Sequence, residues 1–380
     1  MLHPFQHLRC ALRAMRRSFI VRVGALTAIA LMPVLAQTVP PHNTFPKEST
    51  PMSWKTECIG RVLIDMPTDR MRSWSAQFDH AHVRRLQRPL SLAQFWAGVE
   101  VVRDGYAKQK HDEHTSRLGH YERMDARKAA MVVGYQSDAS FFAPVMWRFV
   151  HLDEQHAYEF KQTLSTGDKA PSPELFKPYV DQYTPVLSSI KPLRDGEIPS
   201  GEGLCIDGAL VGGDTGRNAA SALNVEISKG TLLGASYLEN NQGTFMESSF
   251  NELKRDQERA DFALTLRSEP LGYKEFKVLR RQERTLAGLR GQEFITRTTL
   301  NNGHVYYSMA WGTKGADGDA STPQISAGLN TPKDTVNSKG QPYTPVPPEA
   351  QLIALWDGAL ATLRIRPGAL PAGQVLRSVN

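Results

Sequence analysis

The sequence predicts an α+β fold of two structurally similar domains, each a mainly antiparallel sheet with helices packed on it. Composition is the first observation, because 380 residues with 41% hydrophobic and 22% charged side chains are typical of a folded globular protein. The second is a pattern that occurs twice. Residues 58–65 open one half and residues 205–211 open the other, and each half ends with an apolar helical stretch that runs into a strand and a proline, Pro192 or Pro367. A duplicated domain explains this pattern, and chance similarity is the alternative.

The first half contains a predicted helix and a predicted hairpin. Ser91 can cap a helix in which Phe95, Val99 and Val102 recur at three- and four-residue steps. Further along, aromatic and polar residues alternate on both sides of the polar turn at 153–155. This alternation indicates two antiparallel strands.

The second half repeats this order with a different loop. Residues 248–259 predict a more polar helix that begins at a serine. Two strand-like runs then flank Asn301-Asn302-Gly303, and an Asn-Gly pair tolerates the positive φ angles that a tight hairpin requires. Residues 312–348 are rich in Gly, Asp, Thr, Ser and Pro, so we expect a long loop there.

Shifts in composition divide the chain into segments. Residues 37–53 and 193–203 are polar, carry Pro or Gly and lack apolar periodicity, which is typical of connecting segments. The predicted organisation is a signal peptide (1–36), a flexible lead-in (37–53), an N-terminal domain (54–192), a linker (193–203), a C-terminal domain (204–369) and a tail (370–380).

Residues 1–36 have the features of a secretory signal peptide. Three arginines precede an apolar run at 23–36, which ends in small residues at the two positions that a signal peptidase reads. The stretch before this run is long, so Met15 is an alternative start to Met1. An uncleaved membrane anchor is the other alternative, although the run is shorter than the roughly 20 residues that span a bilayer. We therefore expect an exported, soluble protein.

The positive charge of the chain belongs mostly to this leader. The formal net charge is +6, from 45 Lys and Arg against 39 Asp and Glu. Five of the arginines and none of the acidic residues lie in residues 1–36. The remaining chain is nearly neutral, so its charge gives no argument for a nucleic-acid partner.

Two cysteines remain after the leader, Cys58 and Cys205. In an oxidising compartment two cysteines can pair, which makes a Cys58–Cys205 disulfide possible. Both cysteines also lie in apolar, strand-like runs, where a free thiol behaves as a small buried hydrophobic group. The sequence leaves both alternatives open.

The motifs that would carry catalysis or ligand binding are incomplete. Ser236 has only one of the two glycines of a nucleophile elbow, and the glycine-rich run at 212–216 lacks the Lys-Ser/Thr pair of a phosphate-binding loop. His151 and His156 miss a metallopeptidase spacing by one residue and flank a turn. We therefore predict no catalytic, cofactor-binding or metal-binding residue, and no cofactor.

Two further clusters of polar residues favour a surface role. His111, His114 and His120 have no Glu or Cys that completes a metal-ligand set. A basic cluster, which we expect to face solvent or a partner, with anionic lipid as the alternative, consists of Arg84, Arg85 and Arg88.

Short motifs spread over residues 54–369 are similar to those of one known family. They are ECIGR at 57–61, LIDMP at 63–67, GLCIDG at 203–208, LAGLRGQE at 286–293, LWD at 355–357 and IRPGA at 365–369. In this order and behind a signal sequence, they resemble the two domains of the type VI secretion lipase-immunity proteins.

The resemblance implies a periplasmic immunity protein that is not an enzyme. Such a protein binds and neutralises a cognate phospholipase effector by blocking its active site or the movement of its lid. The partner-binding residues are unknown; we expect them in a cleft between the domains, rimmed by the 312–348 loop. No nucleic-acid partner and no membrane span are implied. The alternatives are a periplasmic enzyme, such as a hydrolase, and a carrier of lipid or small molecules.

Overall fold

The computed structural model describes residues 52–68, 70–78, 81–110, 116–135, 144–164, 173–212, 219–239, 273–315, 321–335, 345–370, 373–375 and 377. Pro51–Asn380 form one compact unit. The predicted signal peptide, almost all of the lead-in and the helix expected at 248–259 lie outside the described residues. The division into domains at 193–203 stays a prediction, and below "first half" and "second half" denote residues 54–192 and 204–369.

The described part of the chain contains helices and strands in an α+β arrangement. In chain order they are β1 (Trp54–Ile59), β2 (Val62–Pro67), β3 (Arg72–Phe78), β4 (Ala81–Arg85), α1 (Leu92–Ala107), β5 (Leu118–Met124), β6 (Ala129–Gly134), β7 (Val145–Asp153), β8 (His156–Thr163), α2 (Pro173–Ser189), β9 (Ile190–Pro192), β10 (Leu204–Ile206), β11 (Ala209–Val211), β12 (Ala219–Ser228), β13 (Thr231–Glu239), β14 (Tyr273–Leu286), β15 (Leu289–Leu300), β16 (Val305–Gly312), β17 (Gln324–Asn330), α3 (Glu349–Ala361) and β18 (Arg364–Ile365).

A twelve-stranded sheet runs through both halves. Its order is β14-β15-β16-β17-β13-β12-β3-β4-β8-β7-β6-β5, and neighbouring strands are antiparallel. The six strands of the first half therefore lie on one side of the β3–β12 contact and the six of the second half on the other. The α+β class with mainly antiparallel pairing is confirmed.

The two halves repeat one strand order. From the centre outward the first half reads β3-β4-β8-β7-β6-β5 and the second reads β12-β13-β17-β16-β15-β14. In the central pair, Arg72 lies opposite Val225 and Phe78 opposite Ala219, so Ser75 and Ala222 face each other at the middle. The register is that of an approximate two-fold axis passing between these two residues.

The halves also exchange their last strands. β9 follows α2 of the first half but pairs with β11 of the second half. In return, β18 follows α3 of the second half and pairs with β2 of the first, where Ile365 lies opposite Val62. Each of the two small three-stranded sheets thus contains strands from both halves.

These small sheets lie within the main hydrophobic core. Ile59, Val62, Leu204 and Ile206 of the hairpins belong to the same buried cluster as Leu223 of the central sheet. Because burying apolar surface is the main favourable contribution to folding, this shared core joins the two halves into a single folded body.

Helix α1 forms as its sequence predicts. The Ser91 side chain accepts a hydrogen bond from the Gln94 backbone N–H, and the Gln94 side chain accepts one from the Ser91 N–H. This capping box satisfies two of the otherwise unpaired N–H groups at the helix start. Phe95 and Val99 then bury the inner side of the helix against β6 and β7.

Both predicted hairpins are confirmed. β7 and β8 pair around the turn at residues 153–156. β15 and β16 pair across Asn301-Asn302-Gly303, where Gly303 has a φ of 82°. The positive φ is the conformation for which an Asn-Gly turn is suited.

The expectation of one long loop over 312–348 is wrong in part, because β17 lies within it. β17 pairs on one side with β13 and on the other with β16. Its buried residues Ile325, Ala327 and Leu329 alternate with Ser326 and Gly328. Small residues at three of these five positions make the alternation a weak signal, which is why the composition indicated a loop.

Candidate protein-binding face

One side of the central sheet is lined by small side chains. Within the alternating pattern of β12, β13 and β17, one set of residues enters the core, while the other set, apart from buried positions such as Gly234, is partly or fully exposed. We call the second set, together with its neighbours on β3 and β16, the open face. The open face consists of Ser73, Ser75, Ala220, Ala222, Asn224, Leu232, Gly234, Ser236, Leu238, Ser308, Ala310, Ser326, Gly328 and Asn330.

The cross-strand registers show that these residues share a side. Ser75 lies opposite Ala222, Ala222 opposite Ser236, and Ser236 opposite Ser326. This row crosses four strands and both halves. Because residues directly opposite in a sheet point to the same side, the row forms a continuous strip of short side chains.

Hydrogen bonds between side chains of neighbouring strands hold these short side chains close to the sheet. The hydroxyls of Ser236 and Ser326 are 2.7 Å apart. The Ser308 hydroxyl donates to Oδ1 of Asn330, also at 2.7 Å. At Gly328 a side chain would have ordinary van der Waals space, so the glycine is not required by packing within the described residues. The result is a broad surface that another protein can approach closely.

Helix α1 forms a raised wall on the same side of the sheet. A second cross-strand row runs from Ala220 through Gln77, His82 and Lys161 to Trp147. Trp147 packs against the cluster that α1 covers. The open face is therefore bounded on the first-half side by a helix.

Charged and aromatic side chains lie where helix α1 and its strands adjoin on this side of the sheet. Lys161 lies over the Trp147 ring at 4.5 Å, and Arg84 donates to Glu159 at 2.9 Å. Arg123 on β5 stacks over Trp96 of α1 at 4.0 Å. Trp and Arg are the side chains most often found at the energetic centres of protein interfaces.

The opposite side of the sheet contains a cavity of about 850 Å³ between the two halves. Three of its basic side chains, those of Lys55, Arg72 and Arg85, are paired with acidic ones of the cavity wall. Arg72 donates to Glu57 at 2.5 Å, and Arg85 bonds Asp207 at 3.1 Å. The residues of the predicted basic cluster, Arg84, Arg85 and Arg88, all line this cavity, although the Arg84 side chain bonds Glu159 on the other side of the sheet. Much of the positive charge in this cavity is thus neutralised by acidic residues of the same chain.

Two shifted pKa values reflect this pairing and burial. The ammonium of Lys55 lowers the pKa of the Asp195 carboxyl, which it contacts directly. Burial raises the pKa of the Tyr158 phenol, whose hydroxyl donates to the Asp207 carbonyl at 2.7 Å. Both groups hold the linker and the β10–β11 turn against the first half.

The structure joins Cys58 and Cys205 in a disulfide that links the two halves. Their Cα atoms are 5.7 Å apart, and the residues are separated by 147 positions. The same offset of 147 relates Arg72 to Ala219 at the starts of β3 and β12. The bond therefore connects equivalent positions of the repeat, close to its approximate two-fold axis.

The candidate catalytic residues of the sequence analysis do not form a common site. Ser236 belongs to the open face, and its hydroxyl is bonded to Ser326. His151 is buried beside Phe95, with Nε2 2.8 Å from the Leu90 carbonyl. His156 places Nδ1 2.8 Å from Asp153 and Nε2 3.2 Å from the Leu193 carbonyl.

The histidines weighed as metal ligands are only partly described. His120 lies on β5, whereas His111 and His114 fall outside the described residues. Across the described ranges no group of three or more His, Cys, Asp or Glu side chains is placed to hold a metal ion. None of the helices in these ranges is long and apolar enough to cross a membrane.

Sequence reasoning missed the open face. Its residues are mostly Ser, Ala and Gly, which carry no motif. The alternation in β12 was the available signal, because buried Leu223 and Val225 alternate with small or polar residues. That pattern predicts a strand with one exposed side. Only the order of the strands in the sheet shows that the exposed sides of several strands lie next to one another.

The described part of the chain thus forms a wide sheet with a helical wall on one side, built from two halves with the same strand order. Residues 197–368 match the family model described as Tle cognate immunity protein 4 C-terminal domain. The matched residues make up a little under half of the chain, and they are similar to the C-terminal domain of the Tle cognate immunity proteins. A comparison with curated proteins finds no match.

Solved structures share the fold. A chain of "The crystal structure of Tle4-Tli4 complex" is 20% identical, with a TM-score of 0.66, and the match covers 83% of this chain and 98% of that chain. The apo structure of the immunity protein TplEi of T6SS from Pseudomonas aeruginosa is 18% identical, with a TM-score of 0.64 and the same coverage. TplEi complexed with "L" peptide is also 18% identical, with a TM-score of 0.60.

Proposed function

We propose that this protein is an immunity protein that binds and neutralises a cognate type VI secretion phospholipase effector. The match of residues 197–368 to the Tle cognate immunity family carries this proposal. A fold shared over 83% of the chain with a protein of the Tle4-Tli4 complex supports it. The protein acts by binding and is not an enzyme.

The open face is the proposed contact surface for the effector. Specific protein interfaces bury about 800 Å² on each partner, and the open face offers a continuous surface across both halves. Its short side chains lose little conformational entropy when they are covered. Lys161 and Trp147, in the row that leads from the open face to α1, provide a larger contact area at one side.

Neutralisation follows from the position of a rigid partner on the lipase. A lipase needs its active-site entrance open to reach lipid. A protein that binds the closed form more tightly than the open form shifts the population toward the closed form. A protein bound over the entrance has the same effect on activity by excluding the substrate.

The proposed location is the periplasm. An N-terminal segment with arginines followed by an apolar run supports export. A disulfide between Cys58 and Cys205 is consistent with an oxidising compartment. Fractionation of the producing cells tests this, and recovery of the chain with cytoplasmic markers would contradict it.

Substitutions on the open face test the proposed contact surface. Ser75→Arg and Ser326→Arg each place a long charged side chain in the strip of short ones. Because the added side chain prevents close approach, we expect the dissociation constant for the cognate lipase to rise roughly 10- to 100-fold, or about 1.4–2.7 kcal/mol. Isothermal titration calorimetry measures this constant.

A matched control is Thr285→Arg, on the exposed edge strand β14 at one end of the sheet. It adds the same charge to an exposed hydroxyl residue in a strand, and we expect unchanged binding. If all three variants bind as the unsubstituted chain does, the open face is not the contact surface. If the unsubstituted chain neither binds nor inhibits the lipase, the proposed function itself is wrong.

The alternatives have different readouts. An enzyme turns over a substrate without a partner, and a lipid carrier retains lipid through purification. Hydrolase assays on the isolated chain and mass spectrometry of an organic extract distinguish these functions from effector binding.

A further inference from the structure

The two hairpins of the small sheets insert into each other's half. The turn of the β1–β2 hairpin contains Gly60, whose φ is 60° and whose α-carbon lies directly against the Tyr237 ring of β13. The turn of the β10–β11 hairpin contains Gly208, with a φ of 67°, against the Arg85 guanidinium of β4. A side chain at either glycine would collide with the opposite half.

A buried network holds the first of these turns. Arg61, only 1% exposed, donates to the Glu239 carboxylate and to the Ala369 carbonyl. The Tyr237 hydroxyl donates to the same carboxylate at 2.7 Å. One end of this network belongs to the first half and the other to the second.

The hairpins meet at the cysteine pair. The Gly60 N–H donates to the Cys205 carbonyl at 3.1 Å, and the Cys205 N–H donates to the Gly60 carbonyl at 2.8 Å. The disulfide from Cys58 adds a covalent bond at the same contact. Ile59 and Ile206, next to the two cysteines, are buried in the core below the central sheet.

This contact lies under the centre of the twelve-stranded sheet, next to the first-half side of the open face. β3 and β12 form the middle of the twelve-stranded sheet and the first-half side of the open face, and buried side chains of both strands, including Phe78 and Leu223, share the cluster with the hairpins. A movement of the hairpins therefore changes the packing beneath β3 and β12, the strands that carry Ser75 and Ala222.

We propose that the Cys58–Cys205 disulfide is an export-dependent lock, which fixes the exchanged hairpins and holds the open face in its effector-binding form only after oxidation. This inference rests on the proposed function. Before export, both residues are thiols, and the hairpins are held by packing, by the Arg61–Glu239 network and by backbone hydrogen bonds, without a covalent bond between them. After export, a periplasmic thiol–disulfide oxidoreductase in its disulfide form accepts two electrons and two protons from the thiols, and the sulfur–sulfur bond forms.

Reduction of the folded chain reverses the lock. Two equivalents of a monothiol, or one of a dithiol such as dithiothreitol, donate two electrons and two protons. The Cys58–Cys205 bond breaks, two thiols form, and the reductant becomes a disulfide. A disulfide restricts the unfolded chain more when the loop it closes is longer, so a closure over 147 positions stabilises the folded chain as a whole, and the bond itself ties the two hairpins together.

The test compares the full exported chain in its oxidised state, its reduced state, and as Cys58→Ser/Cys205→Ser. Hydrogen–deuterium exchange is followed in the peptides that contain β1–β2 and β10–β11, and surface plasmon resonance follows dissociation of the cognate lipase. We expect at least roughly tenfold faster exchange in these peptides and at least roughly tenfold faster dissociation in the reduced and double-variant chains.

The double variant treated with dithiothreitol is the control, because it has no bond to reduce and its exchange should not change further. Equal exchange and equal dissociation rates in the oxidised and reduced chains overturn the lock. If the double variant fails to fold, the oxidised and reduced forms of the unsubstituted chain decide. If the oxidised chain binds no lipase, the proposed function fails, and the exchange rates still decide whether the disulfide holds the hairpins.

Discussion

Glu293 shows how a single buried carboxylate organises the second half. Its side chain is fully buried and accepts hydrogen bonds from Gln282 at 2.6 Å, Trp356 Nε1 at 2.8 Å and Arg284 at 2.9 Å. Arg280 also donates at 3.2 Å to Oε1, the oxygen that Trp356 and Arg284 share, whereas Gln282 donates to Oε2. The carboxylate therefore fixes α3 to β14 and β15 by charge-assisted hydrogen bonds.

Removing this carboxylate should be costly. In Glu293→Ala the guanidiniums of Arg280 and Arg284 lose an acceptor, and the buried Trp356 N–H is left without one. We therefore expect the free energy of unfolding to fall by about 3–5 kcal/mol. Urea denaturation measures the change. Glu283→Ala is the control, because Glu283 and its partner Arg290 are both 62% exposed; a similar loss there would contradict the argument.

Asp357 gives the protein a pH dependence whose sign can be stated. Hydrogen bonds from Arg280 lower the pKa of the Asp357 carboxyl below its ordinary value. Its contribution to stability is therefore complete above the pKa of the unfolded chain and is lost as the pH falls through the folded-state pKa. The stability difference between the unsubstituted chain and Asp357→Asn should shrink as the pH falls from 7 to 2. Thermal unfolding at a series of pH values measures this, and a constant difference would exclude Asp357 as a source.

Substitution by alanine at two glycines should change the stability of the protein in opposite directions. Gly60 has a positive φ and touches the Tyr237 ring, so Gly60→Ala should destabilise by about 2–4 kcal/mol. Gly98 lies within α1 and has open space around its α-carbon. Gly98→Ala should therefore stabilise by up to about 1 kcal/mol, because alanine has the higher helix propensity. Thermal unfolding of both variants checks the pair, and loss of stability in both would contradict the structural explanation.

The sequence could not decide between bonded and free cysteines, because both lie in apolar runs that suit either state. Their proximity depends on the pairing of elements far apart in the chain. The contacts of Gly60 with Tyr237 and of Gly208 with Arg85 arise only because each hairpin inserts into the other half.

At the scale of elements, local signals predicted some structures well. The Ser91 cap, the regular apolar steps of α1 and the Asn301-Asn302-Gly303 turn each depend on neighbouring residues, so the sequence alone contains the information. β17 was missed because its central strand position is set by β13 and β16 rather than by strong β-forming side chains.

The cap of α1 offers a test at this scale. Ser91→Ala removes the hydrogen bond to the Gln94 N–H, and we expect a loss of about 1 kcal/mol in the free energy of unfolding. Ser91→Asp retains an acceptor and should restore most of it. If Ser91→Asp is as unstable as Ser91→Ala in urea denaturation, the cap hydrogen bond is not the cause.

For the whole molecule, the repeated plan was predictable but the exchange of strands was not. The two openings and the two helix–strand–proline endings are visible in sequence. β9 and β18, however, are only three and two residues long, and β18 pairs with a strand about 300 positions earlier. Nothing local distinguishes this pairing from pairing within one half, and the same applies to the assembly of the open face from strands of both halves.

The approximate two-fold relation also has a consequence for recognition. Ser75 and Ala222 occupy corresponding places in the repeat and lie opposite each other at its centre. A lipase without such symmetry must touch the two corresponding surfaces through different atoms. A single mutation alters only one of these related surfaces, so specificity for a new toxin can evolve in one half while the other half retains its original contacts.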